Sequence, residues 1–436
     1  MDYRRFLNDI GMRRQSGSYL TGLLESVQDI PDMISLAGGL PNPSLFPILS
    51  GTFKLKDGEE VYLDESTMAE VQQYSSSQGY PPFRQWCERF IKSYHDPPCW
   101  ENADESKTKI MVTSGAAQAY TKVLEMCVKE GDKVLVEIPT FSSAIDNLLT
   151  LGAEPLGVQG DAQGMIPGEL RSVMSKWRPQ DADDPHSDVP KLMYVIPSSN
   201  TPSGATLPLE RKREIYEIAR EYNLLIIEDD PYYFLQFGGR LEPSFLSIDT
   251  DGRVLRADSF STCMTPGLRL GILSGPALLV SKVQSHVSFS QEHSNNLAQA
   301  VLHKIFEAWG EQGTKKRWRE ISAFYERQKN AMMSSAKRWL TGLAEFVEPQ
   351  GGMFLWIRLT TIPDSRKLIE EKSLSHKIAM APGCIFTPNR DDPSPYLRAN
   401  YSTIPIGQID VAMQRLAEMI KEKMASNPEA FRVSKF

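Results

Sequence analysis

The sequence predicts an α/β fold: a large lobe with a mostly parallel sheet flanked by helices, and a small α+β lobe. Three observations predict it. Residues 105–275 alternate short apolar runs with amphipathic stretches. The chain has 436 residues, 41% of them hydrophobic, enough for more than one core. After about residue 280 the pattern changes to a long helical stretch, then strand-like segments, then a last helix. Strand–helix–strand alternation carries the chain back over the sheet, so neighbouring strands run parallel and helices cover both faces.

The elements follow in order. TKIMVTSG (108–115) is strand-like and ends in a glycine turn. Residues 116–129 have helical spacing, with Val123, Met126 and Cys127 available to one face. KVLVEIP (133–139) and KLMYVIP (191–197) are further strands, and PQDADDPHSDVPK (179–191) is a polar loop. Ile215, Ile218, Ala219 and Tyr222 fall at i, i+3, i+4 and i+7, which marks a one-sided helix from Pro208. LLIIEDD (224–230) is a buried strand; RVLRADSFS (253–261) and LRLGILSG (268–275) are two more. The tail reads as helical over 280–342. It continues with strands at 351–359 (GGMFLWIRL) and 396–402 (YLRANYS) and a helix near 408–425.

Composition narrows the function. A net charge of −7 gives no reason to expect a nucleic-acid partner. No apolar run is long enough for a membrane span. The first twenty residues combine four arginines with Asp2 and Asp9 and lack an apolar core, so they do not read as a secretory signal. Cys87, Cys99, Cys127, Cys263 and Cys384 are scattered, which fits free thiols in a reducing compartment, cytoplasmic or the mitochondrial matrix. The histidines show no metal-ligand spacing, and no metal is expected.

Ligands of open parallel sheets bind beyond the carboxyl ends of the strands, and the chemistry-bearing motifs sit at such ends. VTSGAAQ (112–118) turns from strand to helix, where the N–H groups of Ala116 and Ala117 can seat a phosphate; an ordinary βα turn is the plainer reading. SFSTCMTPGLRLG (259–271) offers Ser259, Ser261 and the Arg269 fork to a dianion, or is a hairpin with a surface arginine. IIEDDPYYF (226–234) places acids, then tyrosines, after a buried strand.

The frame S-x-S, then a lysine, then G-x-R-x-G resembles the active-site signature of fold type I pyridoxal-phosphate aminotransferases. ISLAGGLPNPSLFP (34–47), QYSSSQG (73–79), EIYEIAREYNLLIIEDDPYYFLQF (214–237) and PSPYLRA (393–399) read closely like the kynurenine/2-aminoadipate aminotransferases. The resemblance implies a fold type I homodimer that binds pyridoxal 5′-phosphate, with 2-aminoadipate, kynurenine or aromatic amino acids and 2-oxoglutarate as substrates. It divides the chain into an N-terminal arm with part of the small lobe (1–50), a large cofactor-binding domain (51–310) and a small C-terminal domain (311–436). It also assigns roles. Asp229 pairs with the pyridine nitrogen, and the Tyr232 hydroxyl reaches the cofactor's phenolic oxygen. Phe141 stacks on the ring. Ser259, Ser261 and Arg269 hold the phosphate, joined by Tyr74 from the partner subunit. Thr201, in PSSNTPSG, stands where relatives place an asparagine at the phenolic oxygen. Arg398 clamps the substrate carboxylate, and Gly39 and Tyr74 border the substrate.

One position departs from that signature above all others. Thr262 stands where the family's lysine carries the cofactor and moves the substrate proton. Ala116, Thr201 and Pro266 also depart from the usual residues. A threonine hydroxyl forms no covalent link to the cofactor, and it ionises far from the range of a general base at pH 7. The expectation is an impaired aminotransferase homologue, a pseudoenzyme that binds the cofactor without a covalent bond. It would act as a binding or regulatory subunit, in a homodimer or a heterodimer with an active paralogue. The alternative is an active transaminase on a lysine-independent route, with Tyr232 as the titrating group. Leu20 stands where some relatives carry an arginine near the substrate side chain.

Overall fold

The structure, a computed structural model, describes residues 1–14, 23, 26–27, 30–34, 36–184 and 186–426; Leu20 lies outside them. Its contacts divide the chain into two units. The first comprises Met1–Glu130, Leu225–Pro231 and Pro243–Lys316. The second comprises Gly131–Leu224, Tyr232–Glu242 and Arg317–Phe436.

In the first unit, strands Thr108–Thr113, Gly271–Pro276, Val254–Ser259 and Leu225–Asp229 lie side by side in that order. Leu225–Asp229 runs parallel to Val254–Ser259, as the alternation predicts. Gly271–Pro276 runs antiparallel to both of its neighbours, where the sequence suggested a mostly parallel sheet. The cause is the short 260–270 link, which holds no crossover helix to carry the chain back, so the strand can only return beside its predecessor. Helix Ala116–Cys127 follows the first strand and buries Ala119, Tyr120, Val123, Leu124 and Cys127.

The elements before residue 105 escaped the sequence reading, and two of them matter most. One is the hairpin of Gly51–Lys54 and Glu60–Leu63. The other is helix Pro81–His95. It starts on prolines, whose missing N–H is no loss in a first turn. It buries Phe83, Cys87, Phe90 and Ile91 at i, i+4, i+7 and i+8. Its Trp86 stacks on Phe306 at 3.9 Å and packs with Phe260 at 6.2 Å. That cluster anchors Phe260, the residue between Ser259 and Ser261.

In the second unit, strands Leu192–Val195, Lys133–Ile138, Glu154–Asp161 and Gly164–Met165 are neighbours in that order. Lys133–Ile138 is parallel to both of its partners. A second, antiparallel sheet orders Ala344–Phe346, Phe354–Leu359, Tyr396–Asn400 and Ala381–Pro382. Its buried side packs Leu355, Ile357, Leu359 and Leu397 with Met413 and Leu416 of helix Ile406–Ser426. Side chains alternate across a strand, so Phe354, Trp356 and Arg398 take the opposite face, with Trp356 and Arg398 in direct register. The helical stretch Asn296–Leu340 is broken at Gly310, where φ is +59°.

Candidate functional site

The first unit brings five of the expected residues into one cluster. Gly115, with φ +87°, turns the chain from strand Thr108–Thr113 into helix Ala116–Cys127, and no side chain caps that helix. Arg269 lies across this turn. Its Nη2 donates to Ser114 O at 3.2 Å and its Nη1 to Ser261 Oγ at 3.4 Å. Ser259 Oγ accepts from the Ser261 N–H at 3.1 Å. The cluster closes tightly on backbone. A Cβ on Gly115 would stand 2.7 Å from Arg269 Nη2, and one on Gly271 would stand 2.9 Å from the Ala116 nitrogen. Both glycines are therefore required by close approach. A free helix N-terminus, an exposed guanidinium and two serines form an anion cradle. Ala116 is buried at its base, and Ala117 is exposed at its mouth.

Asp229 ends strand Leu225–Asp229 and is buried. The alternation of the strand separates it from Glu228 and Asp230, which turn to the other face and meet Arg256. That guanidinium is fully buried. It lies 3.2 Å from Glu228, 2.9 Å from Asp230 and 2.7 Å from Asp258. Burial opposes its charge, but the three carboxylates outweigh burial and raise its pKa further. Burial in turn raises Asp258, against the pull of Arg256. Glu228 also accepts from the N–H groups of Phe245 and Leu246, at 2.7 and 3.1 Å. This network fixes the strand ends that carry Asp229 and Ser259.

Thr262 follows Ser261, and its hydroxyl donates to the Pro231 carbonyl. The lysine that follows it most closely in sequence, Lys282, donates to the Arg14 carbonyl. Gly39 lies open on the surface, and a Cβ there would have no atom within 4 Å. Tyr74 is 59% exposed and meets His293 edge-on at 6.2 Å.

The second unit holds the remaining expected residues. Arg398 Nη1 donates to Thr201 Oγ1 at 3.2 Å. Its guanidinium stacks on Phe354 at 4.2 Å and on Phe386 at 4.8 Å from the ring centroids. Burial holds its pKa below the ordinary arginine value, and Tyr232 partly offsets this. Tyr232 meets Phe354 edge-on at 6.3 Å. Thr201 is buried, and Asn200 beside it donates to the Pro139 carbonyl at 3.2 Å. Phe141 caps helix Ser142–Thr150, and the preceding Thr140 N–H donates to Phe386 O at 3.0 Å. A partly desolvated guanidinium packed on two rings suits a bidentate carboxylate partner. The sequence reading missed Phe354 and Phe386. Alternation puts Phe354 and Arg398 each on the polar side of its own strand, but only the register of the two strands brings them to one face.

Residues 49–416 match the family model for aminotransferase class I and II. The chain belongs to this aminotransferase family. It is 41% identical to the mitochondrial kynurenine/alpha-aminoadipate aminotransferase of Bos taurus over 426 residues, 97% of this chain and all of that one. It is 30% identical to an aromatic amino acid aminotransferase of Dictyostelium discoideum, over 97% of this chain and 88% of that one. Among solved structures it is similar to the aminotransferase Aro8 of Candida albicans. That match has a TM-score of 0.86 and 26% identity, and covers 98% of this chain and 99% of that one. It is also similar to the Pyrococcus horikoshii kynurenine aminotransferase, solved in complex with PMP, KYN and KYA. The TM-score there is 0.73 and the identity 26%, over 97% of this chain and 98% of that one. These matches establish the fold type I aminotransferase fold, an α/β class. No described helix is long and apolar enough to cross a membrane.

Proposed function

We propose that this aminotransferase-family protein binds pyridoxal 5′-phosphate, or its amine form, together with amino acid or 2-oxo acid ligands. It holds the cofactor without a covalent bond, and its ordinary transamination is impaired. The observation that carries the proposal is Thr262. A hydroxyl, already donated to Pro231 O, stands in the family's lysine position, in a chain that keeps Asp229, Tyr232, Ser259, Ser261, Arg269 and Arg398.

The residues of the first unit fit the cofactor at its phosphate and its pyridine nitrogen, but not at its covalent anchor. The N–H groups of Ala116 and Ala117, with Ser259, Ser261 and Arg269, would hold the phosphate. Asp229, an acid buried at a strand end, would keep the pyridine nitrogen protonated; the family resemblance gives Phe141 the role of stacking on the ring, and Tyr232 and Thr201 the phenolic oxygen. The family resemblance gives Arg398 the ligand carboxylate and gives Gly39 and Tyr74 contacts to the substrate. When bound, the cofactor supplies a carbonyl that exchanges with amines and a ring that withdraws electrons. At position 262 the proton that transamination moves at the substrate carbon meets a hydroxyl instead of an amine. General acid–base catalysis is worth roughly 10²–10⁴ in rate, or about 3–5 kcal/mol, and Thr262 forfeits it.

Relatives named for kynurenine, alpha-aminoadipate and aromatic amino acids support these amino acids as the ligand class, and 2-oxoglutarate is the acceptor that the family resemblance implies. A homodimer is part of the proposal. The exposed Ile34, Leu36, Leu40 and Leu45, with Tyr74, offer an apolar surface for a second copy. Borohydride reduction in the presence of pyridoxal phosphate, followed by mass spectrometry of peptides, tests the reading. The expected result is reversible cofactor binding with no adduct on the protein. A reduced adduct at any lysine, accompanied by turnover of 2-aminoadipate or kynurenine, would overturn it.

A further inference from the structure

Among the described residues, Thr201 Oγ1 is the one hydrogen-bond acceptor of the Arg398 guanidinium, at 3.2 Å. Where that guanidinium points therefore depends on the turn that carries Thr201. The turn, 199–206 of the second unit, begins under strain: Ser199 has φ +52°, a left-handed conformation unfavourable for a residue with a side chain. Two bonds close the turn on itself, from Asn200 N–H to Ala205 O at 2.8 Å and from Gly204 N–H to Asn200 O at 2.6 Å. A third crosses its base, from Ser199 N–H to Thr206 Oγ1 at 3.0 Å.

Gln350 holds this turn from outside. Its N–H donates to Gly204 O at 3.1 Å, and its side-chain Oε1 accepts from Thr206 N–H at 3.0 Å. Its carbonyl accepts from Phe237 N–H at 2.9 Å, and Gly352 N–H donates to Leu235 O at 3.0 Å, so the bracing segment is itself tied down. The two segments press together. A Cβ on Gly204 would stand 2.7 Å from Pro349 Cβ, and one on Gly352 would stand 3.1 Å from Ser199 Cβ. Thr206 is buried, so its N–H needs the acceptor that Gln350 supplies.

We propose that Gln350 is a positioning residue: by accepting from Thr206 N–H it fixes the 199–206 turn, and so sets where Thr201 holds Arg398 toward its carboxylate ligand. The turn uses only the acceptor end of the side chain. Among the described residues Gln350 Nε2 has no hydrogen-bond partner. Glutamate, with the same reach and an acceptor at its tip, can take over this role; methionine, of similar length but a poor acceptor, cannot. Gln350 lies at the surface, so both replacements should fold.

The inference rests on the reading of Arg398 as the carboxylate-binding group, so its test has two arms. The first is calorimetry with 2-oxoglutarate and with inorganic phosphate, at about 0.3 M salt to screen added charge. Gln350→Met should weaken 2-oxoglutarate roughly tenfold, one hydrogen bond's worth, and leave inorganic phosphate unchanged. Gln350→Glu should stay within about twofold of the wild type. Thr201→Val should cost the wild type roughly tenfold and add little in Gln350→Met, because Gln350 acts through Thr201. The second arm is amide hydrogen exchange at Thr206: slow in the wild type and Gln350→Glu, faster by about tenfold in Gln350→Met. Unchanged 2-oxoglutarate affinity in Gln350→Met, equal losses in Gln350→Glu and Gln350→Met, or additive losses with Thr201→Val would overturn the proposal. If Arg398→Ala binds 2-oxoglutarate like the wild type, the carboxylate reading fails instead. The role toward Arg398 falls with it, while the exchange arm still judges the bond to Thr206.

Discussion

Replacing Gly115 with alanine attacks the anion cradle at its narrowest point. The new Cβ would lie 2.7 Å from Arg269 Nη2, whereas ordinary contact begins near 3.4 Å. The guanidinium must retreat by about 0.7 Å. A retreat in that direction stretches its 3.2 Å bond to Ser114 O toward about 3.9 Å, too long for a hydrogen bond. The φ of +87° adds backbone strain of about 1–3 kcal/mol for any residue with a side chain. A misplaced charge-assisted contact costs a bound phosphate about 1.5–3 kcal/mol. The affinity for pyridoxal phosphate should therefore fall roughly 10–100-fold, and stability by about 2 kcal/mol. Gly131→Ala is the control. Its φ is +82°, but nothing lies within 4 Å of its Cβ, so it should lose stability alone. Fluorescence titration with pyridoxal phosphate and with inorganic phosphate, beside urea unfolding, measures both effects. If Gly115→Ala loses stability but binds both probes as tightly as the wild type, the phosphate is held elsewhere.

Three further outcomes follow from the same structure. Arg256→Met leaves Glu228, Asp230 and Asp258 buried around an apolar chain, which should cost about 3–5 kcal/mol in urea unfolding. Arg398→Ala should weaken 2-oxoglutarate by roughly 10²–10³-fold in calorimetry, with little effect on inorganic phosphate. Glu137 binds its proton more tightly when folded, its pKa rising from 4.5 to about 8, so its contribution to stability is full below pH 4.5 and declines as pH rises to about 8. Relative to Glu137→Gln, the wild type should lose on the order of 4 kcal/mol over that window in unfolding measurements.

The strands and the motifs at their ends were legible because burial leaves continuous apolar runs. MVT before Ser114-Gly115 and LLIIE before Asp229 announce both a strand and the site residue at its tip. The antiparallel return of Gly271–Pro276 was written in the short 260–270 link, but link length speaks only once the strands on either side are placed. In hairpin Gly51–Lys54/Glu60–Leu63 the first strand buries no residue and the second alternates exposed and buried residues over only four positions, too few to stand out. The Phe354–Arg398–Phe386 stack joins residues far apart in sequence, and no local pattern encodes it. Glu137 was less visible still. In VLVEIP it looks like a polar residue at a strand end, and only the fold shows that it is buried.

Thr262→Lys tests the central claim most directly. Pyridoxal phosphate is added to wild type and variant, absorbance is recorded, and 2-aminoadipate and kynurenine are offered with 2-oxoglutarate. The account predicts that the wild type binds the cofactor reversibly and turns over neither amino acid at an appreciable rate. The variant should gain a borohydride-trappable bond at position 262 and recover transamination, because its phosphate, ring and carboxylate groups are otherwise in place. Equal turnover by both proteins, or a variant that takes up no cofactor, would contradict it.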